Sequence, residues 1–245
     1  MKRGKFIVIE GTDCSGKGTQ SNLLVKKLES ENIQTIKFGF PRYNSSTGNI
    51  VGLCYLGKSS KELLNPFFDI TKIPSVGSWF GNHPENIDPL VASLYYAADR
   101  KAHNLEIKNY LEKGINVICD RYVESNMGHQ GGKIRDIEER EKFFRTLEKL
   151  EYGVCELQKP DGVIFLYMPY KRGMELKKGR EGKPDLHESS PEHLRDAEES
   201  YLHLSKLYKW IQINCDPDIN SKLPLSRELI HEQVYQNTIK IINDN

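Results

Sequence analysis

One decapeptide, GTDCSGKGTQ at residues 11–20, restricts what this chain can fold into more than any other stretch. Gly11, four intervening residues, then Gly16 and Lys17 have the spacing of a phosphate-binding loop. Glycines let backbone N–H groups turn inward around phosphate oxygens. A helix opening at Lys17 would add its positive N-terminal end. Such a loop works only between a strand and a helix, and both flanks comply. KFIVIE at 5–10 is a short apolar run of the buried parallel kind, and Leu23, Leu24 and Leu28 recur at helical spacing within 17–30. Gly11, Asp13, Cys14, Ser15, Gly16, Lys17, Gly18 and Thr19 are therefore candidate nucleotide-binding residues, with Lys17 reaching the outer phosphates as a mobile point charge. The pattern departs at Gly18, where Ser or Thr usually meets magnesium. Thr19 stands one residue later, so Mg²⁺ is expected either on its hydroxyl or through waters alone.

The rest of the chain continues the alternation. Further strands are expected at 32–38, 115–120, 161–168 and 210–215. Helical patterns run from about Leu90 to Lys113, over 134–151, up to about Tyr208 and over 226–242, the last with Ser226 as cap. Alternating strands and helices predict an α/β fold with a parallel sheet, in which ligands bind at the carboxyl ends of the strands. That rule gathers Glu10 to Lys17, Phe38 to Arg42, and Asp120 with Arg121 at one rim. Asp120 is placed to hold magnesium through water, and Arg121 to grip an anion with its planar fork. The Pro-, Gly- and Asn-rich stretch at 65–89 reads as a surface insertion whose Phe67, Phe68, Trp79 and Phe80 pack on the exterior.

Bulk properties exclude several classes. The formal net charge of +1 over 245 residues lacks the basic excess of a general nucleic-acid binder. Five scattered cysteines without a CxxC pair read as reduced thiols, hence a reducing, cytoplasmic compartment. The N-terminal apolar run is too short for a signal segment, and no 18-residue apolar stretch suits a membrane span.

FIVIEGTDCSGKGTQ, FPR at 40–42, YYAADR at 95–100 and DRYVESNMGHQGG at 120–132 follow one another in the order and spacing seen in thymidylate kinases. The chain resembles that family over most of its length apart from the insertion at about 60–89. The resemblance implies a single domain over 1–245 with a three-layer P-loop fold: a five-stranded parallel sheet flanked by helices, with a mobile lid at about 171–187. It implies transfer of a phosphoryl group from Mg-ATP to dTMP, in a homodimer, with no nucleic-acid or membrane partner. A kinase of the same fold acting on dUMP, another nucleotide or a deoxynucleoside is the near alternative. A nucleotide-binding module without catalysis is the distant one. Glu10 stands where nucleoside kinases often carry a base.

Carried over residue by residue, the resemblance gives Asp13 to the acceptor 3′-hydroxyl and Arg42 and Arg121 to the acceptor phosphate. Tyr96 stands where a Phe stacks on thymine, Arg100 where an arginine bonds its carbonyl, and Ser125 and Asn126 where the base edge is read. His129 replaces the usual Tyr or Phe beside the sugar 2′ carbon, with Gln130 next to it. Members of the family need one arginine on the transferred group, from the phosphate loop or from the lid. Cys14 occupies the loop position, so Arg180 in the lid is the first candidate and Arg172 the second. Asp185 and Glu188 would orient them.

Overall fold

The computed structural model describes residues 2–56, 87–177, 190–218, 221 and 223–244. Five strands form one all-parallel sheet: β1 (Phe6–Gly11), β2 (Thr35–Gly39), β3 (Asn116–Asp120), β4 (Gly162–Tyr167) and β5 (Ile211–Asn214). The order is β2-β3-β1-β4-β5, with Ile9 opposite Asp120 and Gly11 opposite Leu166. Every expected strand is present, within three residues of its predicted ends. The chain leaves β1 toward one side of the sheet and leaves β3 toward the other, so a crevice opens beyond their carboxyl ends.

Side chains alternate across β1, and both faces are buried. Phe6 and Val8 face one core with Ile107, Met127 and Phe144. Ile7 and Ile9 face the other with Leu24, Leu28, Val234 and Ile241. The helices are α1 (Lys17–Ser30), α2 (Ser46–Ile50), α3 (Pro89–Glu112), α4 (Val123–Gly131), α5 (Ile137–Glu148), α6 (Tyr170–Lys177), α7 (Pro191–Leu207) and α8 (Arg227–Asn243). Helices α1 and α8 cover the Ile7 face, while α3, α4 and α5 cover the Phe6 face.

Local chemistry sets the ends. Asp88 caps α3 by accepting from Leu90 and Val91 N–H, with Pro89 in the first turn. Ser226 caps α8, as expected, by accepting from Leu229 N–H. Asp136 caps α5, which starts the helix expected over 134–151 at Ile137. The same segment leaves helical geometry after Glu148 and closes as a wide turn over Lys149–Val154.

Three helices were not anticipated. Helix α2 is short, and α4 carries two glycines, both poor pattern signals. The third, α6, holds the first residues of the expected lid, 171–177: they form a helix whose Gly173 packs on the Asp13 carbonyl. The remaining expected lid residues, including Arg180, Asp185 and Glu188, lie outside the described residues. So do residues 57–86, which hold most of the expected insertion and its four aromatics. The glycines of α4 answer to packing: a Cβ on Gly128 would stand 2.4 Å from the Tyr201 ring, and one on Gly131 would stand 2.4 Å from Phe144.

Candidate active site

Beyond β1 the chain turns sharply. Cys14 and Gly16 have positive φ (59° and 84°), and Gly16 precedes the first turn of α1. Thr12 ties this loop to β4: its Oγ1 donates to Met168 O at 2.6 Å and accepts from Met168 N–H at 2.8 Å. Lys17 is buried and folds back, donating to the carbonyls of Gly11 and Thr12, each at 2.9 Å. Burial, then the neighbouring Arg121 charge, push its pKa down to about 8, against the pull of Asp13, Asp120 and Glu10.

Asp13 is the counter-charge. Its carboxylate meets Arg121 Nη2 at 3.6 Å and Lys177 Nζ of α6 at 3.5 Å. Burial works to raise its pKa, but Lys17, Arg121, His129 and Lys177 together hold it well below the usual carboxylate range. Arg121 has φ 67° and its N–H bonds Ile9 O at 3.1 Å, which turns its side chain inward over the crevice. Its Nη1 lies 3.1 Å from His129 Nε2.

Asp13, Tyr96, Arg100, Arg121, Ser125, Asn126, His129 and Gln130, eight of the nine expected acceptor residues, line one cavity. Phe40, Pro41, Tyr43 and Leu56 complete its apolar wall. Tyr96 meets Tyr55 edge-on at 5.5 Å, so its ring is held upright. Arg100 is sealed from water and forms a two-bonded pair with Glu151 at 2.5 and 2.7 Å, while Nη1 donates to Tyr122 O. Asn126 joins the same carboxylate at 2.9 Å. Gln130 Nε2 donates to Tyr55 OH at 3.4 Å, while its buried Oε1 has no partner among the described residues.

Ser125 turns to Glu10, which also accepts from Tyr122 N–H and Tyr201 OH. Glu10 is fully buried; burial raises its pKa against the Arg121 charge and these hydrogen bonds.

Arg42, the ninth, does not line this cavity but a neighbouring groove that it shares with Asp120 and Arg121. Its Nη1 donates to Glu106 at 2.6 Å, and its guanidinium lies 5.1 Å from the Phe38 ring centre. Its loop is held by Asp99, which accepts from Arg42 N–H at 2.8 Å and Thr47 Oγ1 at 2.7 Å. Asp120 lies at the rim, with Ser21 Oγ 3.4 Å and Lys37 Nζ 3.7 Å from Oδ2. A Cβ on Gly18 would stand 3.3 Å from the same oxygen, while Thr19 is exposed. One carboxylate with hydroxyls nearby, all hard oxygen donors, fits a largely hydrated Mg²⁺.

Arg172, the second lid candidate, bonds the segment after β5. Its Nε donates to buried Asp216 at 2.9 Å and its Nη2 to Ser221 O at 2.7 Å. The α6 cation that reaches the phosphate loop is Lys177. Sequence reasoning also missed Glu151, His193 and Tyr201, which carry no local signature. Asp99 it could have found, because it adjoins Arg100 within YYAADR.

The thymidylate kinase family model matches residues 81–221. The thymidylate kinase of Plasmodium falciparum is 30% identical over 98% of this chain and 92% of its own length. That of Carboxydothermus hydrogenoformans is 31% identical over 83% and 85%. The solved structure of thymidylate kinase from Candida albicans superposes with a TM-score of 0.66 over 99% of this chain and 96% of that one. At 21% identity, that likeness shows the fold.

Proposed function

This chain belongs to the thymidylate kinase family and is an ATP-dependent kinase of dTMP, and from that premise we propose the following division of labour among its residues. The loop Gly11–Thr19 cradles the ATP phosphates with its backbone N–H groups. Lys17 then exchanges the carbonyls of Gly11 and Thr12 for phosphate oxygens. Arg121 holds the dTMP phosphate next to them. One acceptor oxygen forms a bond to the γ-phosphorus as the bond to the bridging oxygen of ADP breaks. That oxygen is already ionised at neutral pH, so alignment and positive charge are the catalytic needs, not a base. Lys17, Arg121, Lys177 and a cation from the segment after α6, Arg180 being the candidate, supply the charge. Asp120 would hold Mg²⁺ through water, with the Ser21 hydroxyl beside it and Thr19 the further hydroxyl candidate. When bound, the ion neutralises the ATP phosphates.

The observation that carries this reading is the shared wall: Asp13 and Arg121 border both the phosphate loop and the acceptor cavity. Glu10 supports a phosphate acceptor over a nucleoside. Its oxygens already take bonds from Tyr122, Ser125 and Tyr201, and a base for a sugar hydroxyl needs a free one. In the base pocket, Arg100 keeps two N–H donors beyond its three bonds, and Gln130 Oε1 offers an acceptor. A donor beside an acceptor matches the carbonyl and N–H of a pyrimidine imide and mismatches an amino-pyrimidine. Tyr96 covers the ring, Asp13 takes the 3′-hydroxyl, and His129 sits beside the sugar. Arg42 reaches the acceptor phosphate after leaving Glu106.

Exposed Leu90, Val91, Leu94 and Leu105 on α3 support a homodimer through that helix. The free thiols of Cys119, Cys155 and Cys215 support a cytoplasmic location.

The test is ADP release with Mg-ATP and dTMP, dUMP, dCMP, dGMP, AMP or UMP, with thymidine and Lys17→Ala beside them. dTMP is expected to exceed dCMP by at least about 100-fold in kcat/KM, because a mismatched amino group leaves buried donors unpaired. Equal turnover of dCMP would overturn the base-pocket assignment. Turnover of thymidine at the dTMP rate would overturn the phosphate-acceptor reading.

A further inference from the structure

Arg121 is the acceptor-side guanidinium of the proposed reaction, and it leans on a histidine that leans on another. Arg121 Nη1 lies 3.1 Å from His129 Nε2, and His129 Nδ1 lies 3.3 Å from His193 Nε2. The two imidazoles are near-parallel, at 11°, with ring centres 5.5 Å apart. Tyr201 packs edge-on against His129 at 5.5 Å, so the ring is walled on two sides. His193 is buried in the first turn of α7, where its N–H bonds the Ser190 cap.

Donor chemistry orders the chain. A guanidinium has only N–H groups, so His129 Nε2 must accept from Arg121. A neutral His129 then carries its proton on Nδ1 and donates it to His193 Nε2. The His193 ring is thereby the far anchor of Arg121, although it touches neither the acceptor cavity nor the phosphate loop in any contact described.

We propose that His193 is a positioning residue for the acceptor phosphate: through His129 it fixes the Arg121 guanidinium over the cavity. This rests on the kinase reading above, in which Arg121 grips that phosphate. The arrangement needs an unprotonated Nε2 on both imidazoles. A proton there turns an acceptor into a donor and sets N–H against N–H. The small cavity that His129 lines beside α6 and α7 also carries Asp13, Tyr170, Lys177, Glu198 and Tyr201. The two carboxylates are engaged, Asp13 by Arg121 and Lys177, and Glu198 by Tyr167 OH and Tyr170 N–H.

The test compares wild type, His193→Leu and His193→Gln by steady-state kinetics with dTMP and ATP from pH 6 to pH 8.5, with thermal unfolding alongside. Leu fills the space without an acceptor, while Gln restores one through Oε1. The expected result is a KM for dTMP raised up to about tenfold in His193→Leu, the scale of one net hydrogen bond. The KM for ATP should move far less, and His193→Gln should recover most of the loss. Unchanged dTMP kinetics in a folded His193→Leu would overturn the proposal, as would equal rises in both KM values. If wild type itself fails to use dTMP, the kinase reading falls instead, so the two failures are distinguishable.

Discussion

Glu151 takes two bonds from Arg100, Nε at 2.5 Å and Nη2 at 2.7 Å, and neither side chain meets water. The carboxylate comes from the wide turn after α5, the guanidinium from α3. The pair is thus the strut that holds the base pocket against the body of the fold, with Asn126 braced on the same oxygen.

Removing one partner strands the other as a buried charge. Glu151→Ala should destabilise the fold by about 3–5 kcal/mol. It should also raise the KM for dTMP, because Arg100 and Asn126 lose their orientation. Denaturant unfolding and acceptor kinetics check this; a stability change below about 1 kcal/mol would remove the strut from the account.

Lys17 gives a proton-uptake prediction. Its pKa of about 8 follows from burial and from Arg121. ATP phosphates beside Nζ should raise it again, so ATP binding near pH 8.5 should take up protons. Calorimetry in buffers of different ionisation heat measures this directly. Uptake should vanish in Lys17→Met; persistence there would assign the proton elsewhere.

Glu124 on α4 is buried and bonded by Tyr152 OH at 2.8 Å. Burial, then Glu10, raise its pKa from 4.5 to about 7. A carboxyl with a raised folded pKa contributes most stability below the unfolded value and loses it as pH rises through the folded one. Glu124→Gln should therefore stabilise relative to wild type by about 1–3 kcal/mol at pH 8 and by nearly nothing near pH 4.5. A pH-independent difference would contradict the assignment.

Arg42 is held by Glu106 at 2.6 Å, with side-chain exposures of 26% and 44%, so that pair is weak. Glu106→Ala should lower the KM for dTMP by up to about fivefold, by freeing the guanidinium. Arg42→Ala should raise it. Opposite signs are the test, and a rise in both variants would mean that Glu106 positions Arg42 rather than competing for it.

Arg172 and Lys177 separate by role. Arg172→Ala should loosen the segment around Asp216 and Ser221 and lower Tm with a small effect on kcat. Lys177→Ala should lower kcat about tenfold or more, the weight of one charge-assisted contact in the transition state. The reverse pattern would return the catalytic role to Arg172.

Local code carried most of what was legible. Lys17, Gly16 and the apolar run before them are contiguous, and loop, strand and helix need one another there, so the phosphate site follows from ten residues. Asp13 of the phosphate loop and the motifs YYAADR and DRYVESNMGHQGG pointed to eight residues that now share one cavity, while Arg42 of FPR lines the groove beside it. Helix α6 escaped because its charges resemble a solvated segment, and packing of Gly173 on the phosphate loop is a long-range fact.

The sequence by itself determined the strands, their parallel sense and the list of polar groups at the sheet's rim, because period, glycine spacing and strand-end chemistry are local properties. Only the tertiary structure decided what those groups touch. It paired Arg100 with Glu151, 51 positions away, turned Arg42 to Glu106, sent Arg172 to Asp216, and set His193 behind His129. A buried charge is satisfied by whichever partner packing brings within reach, and no pattern along the chain encodes that distance.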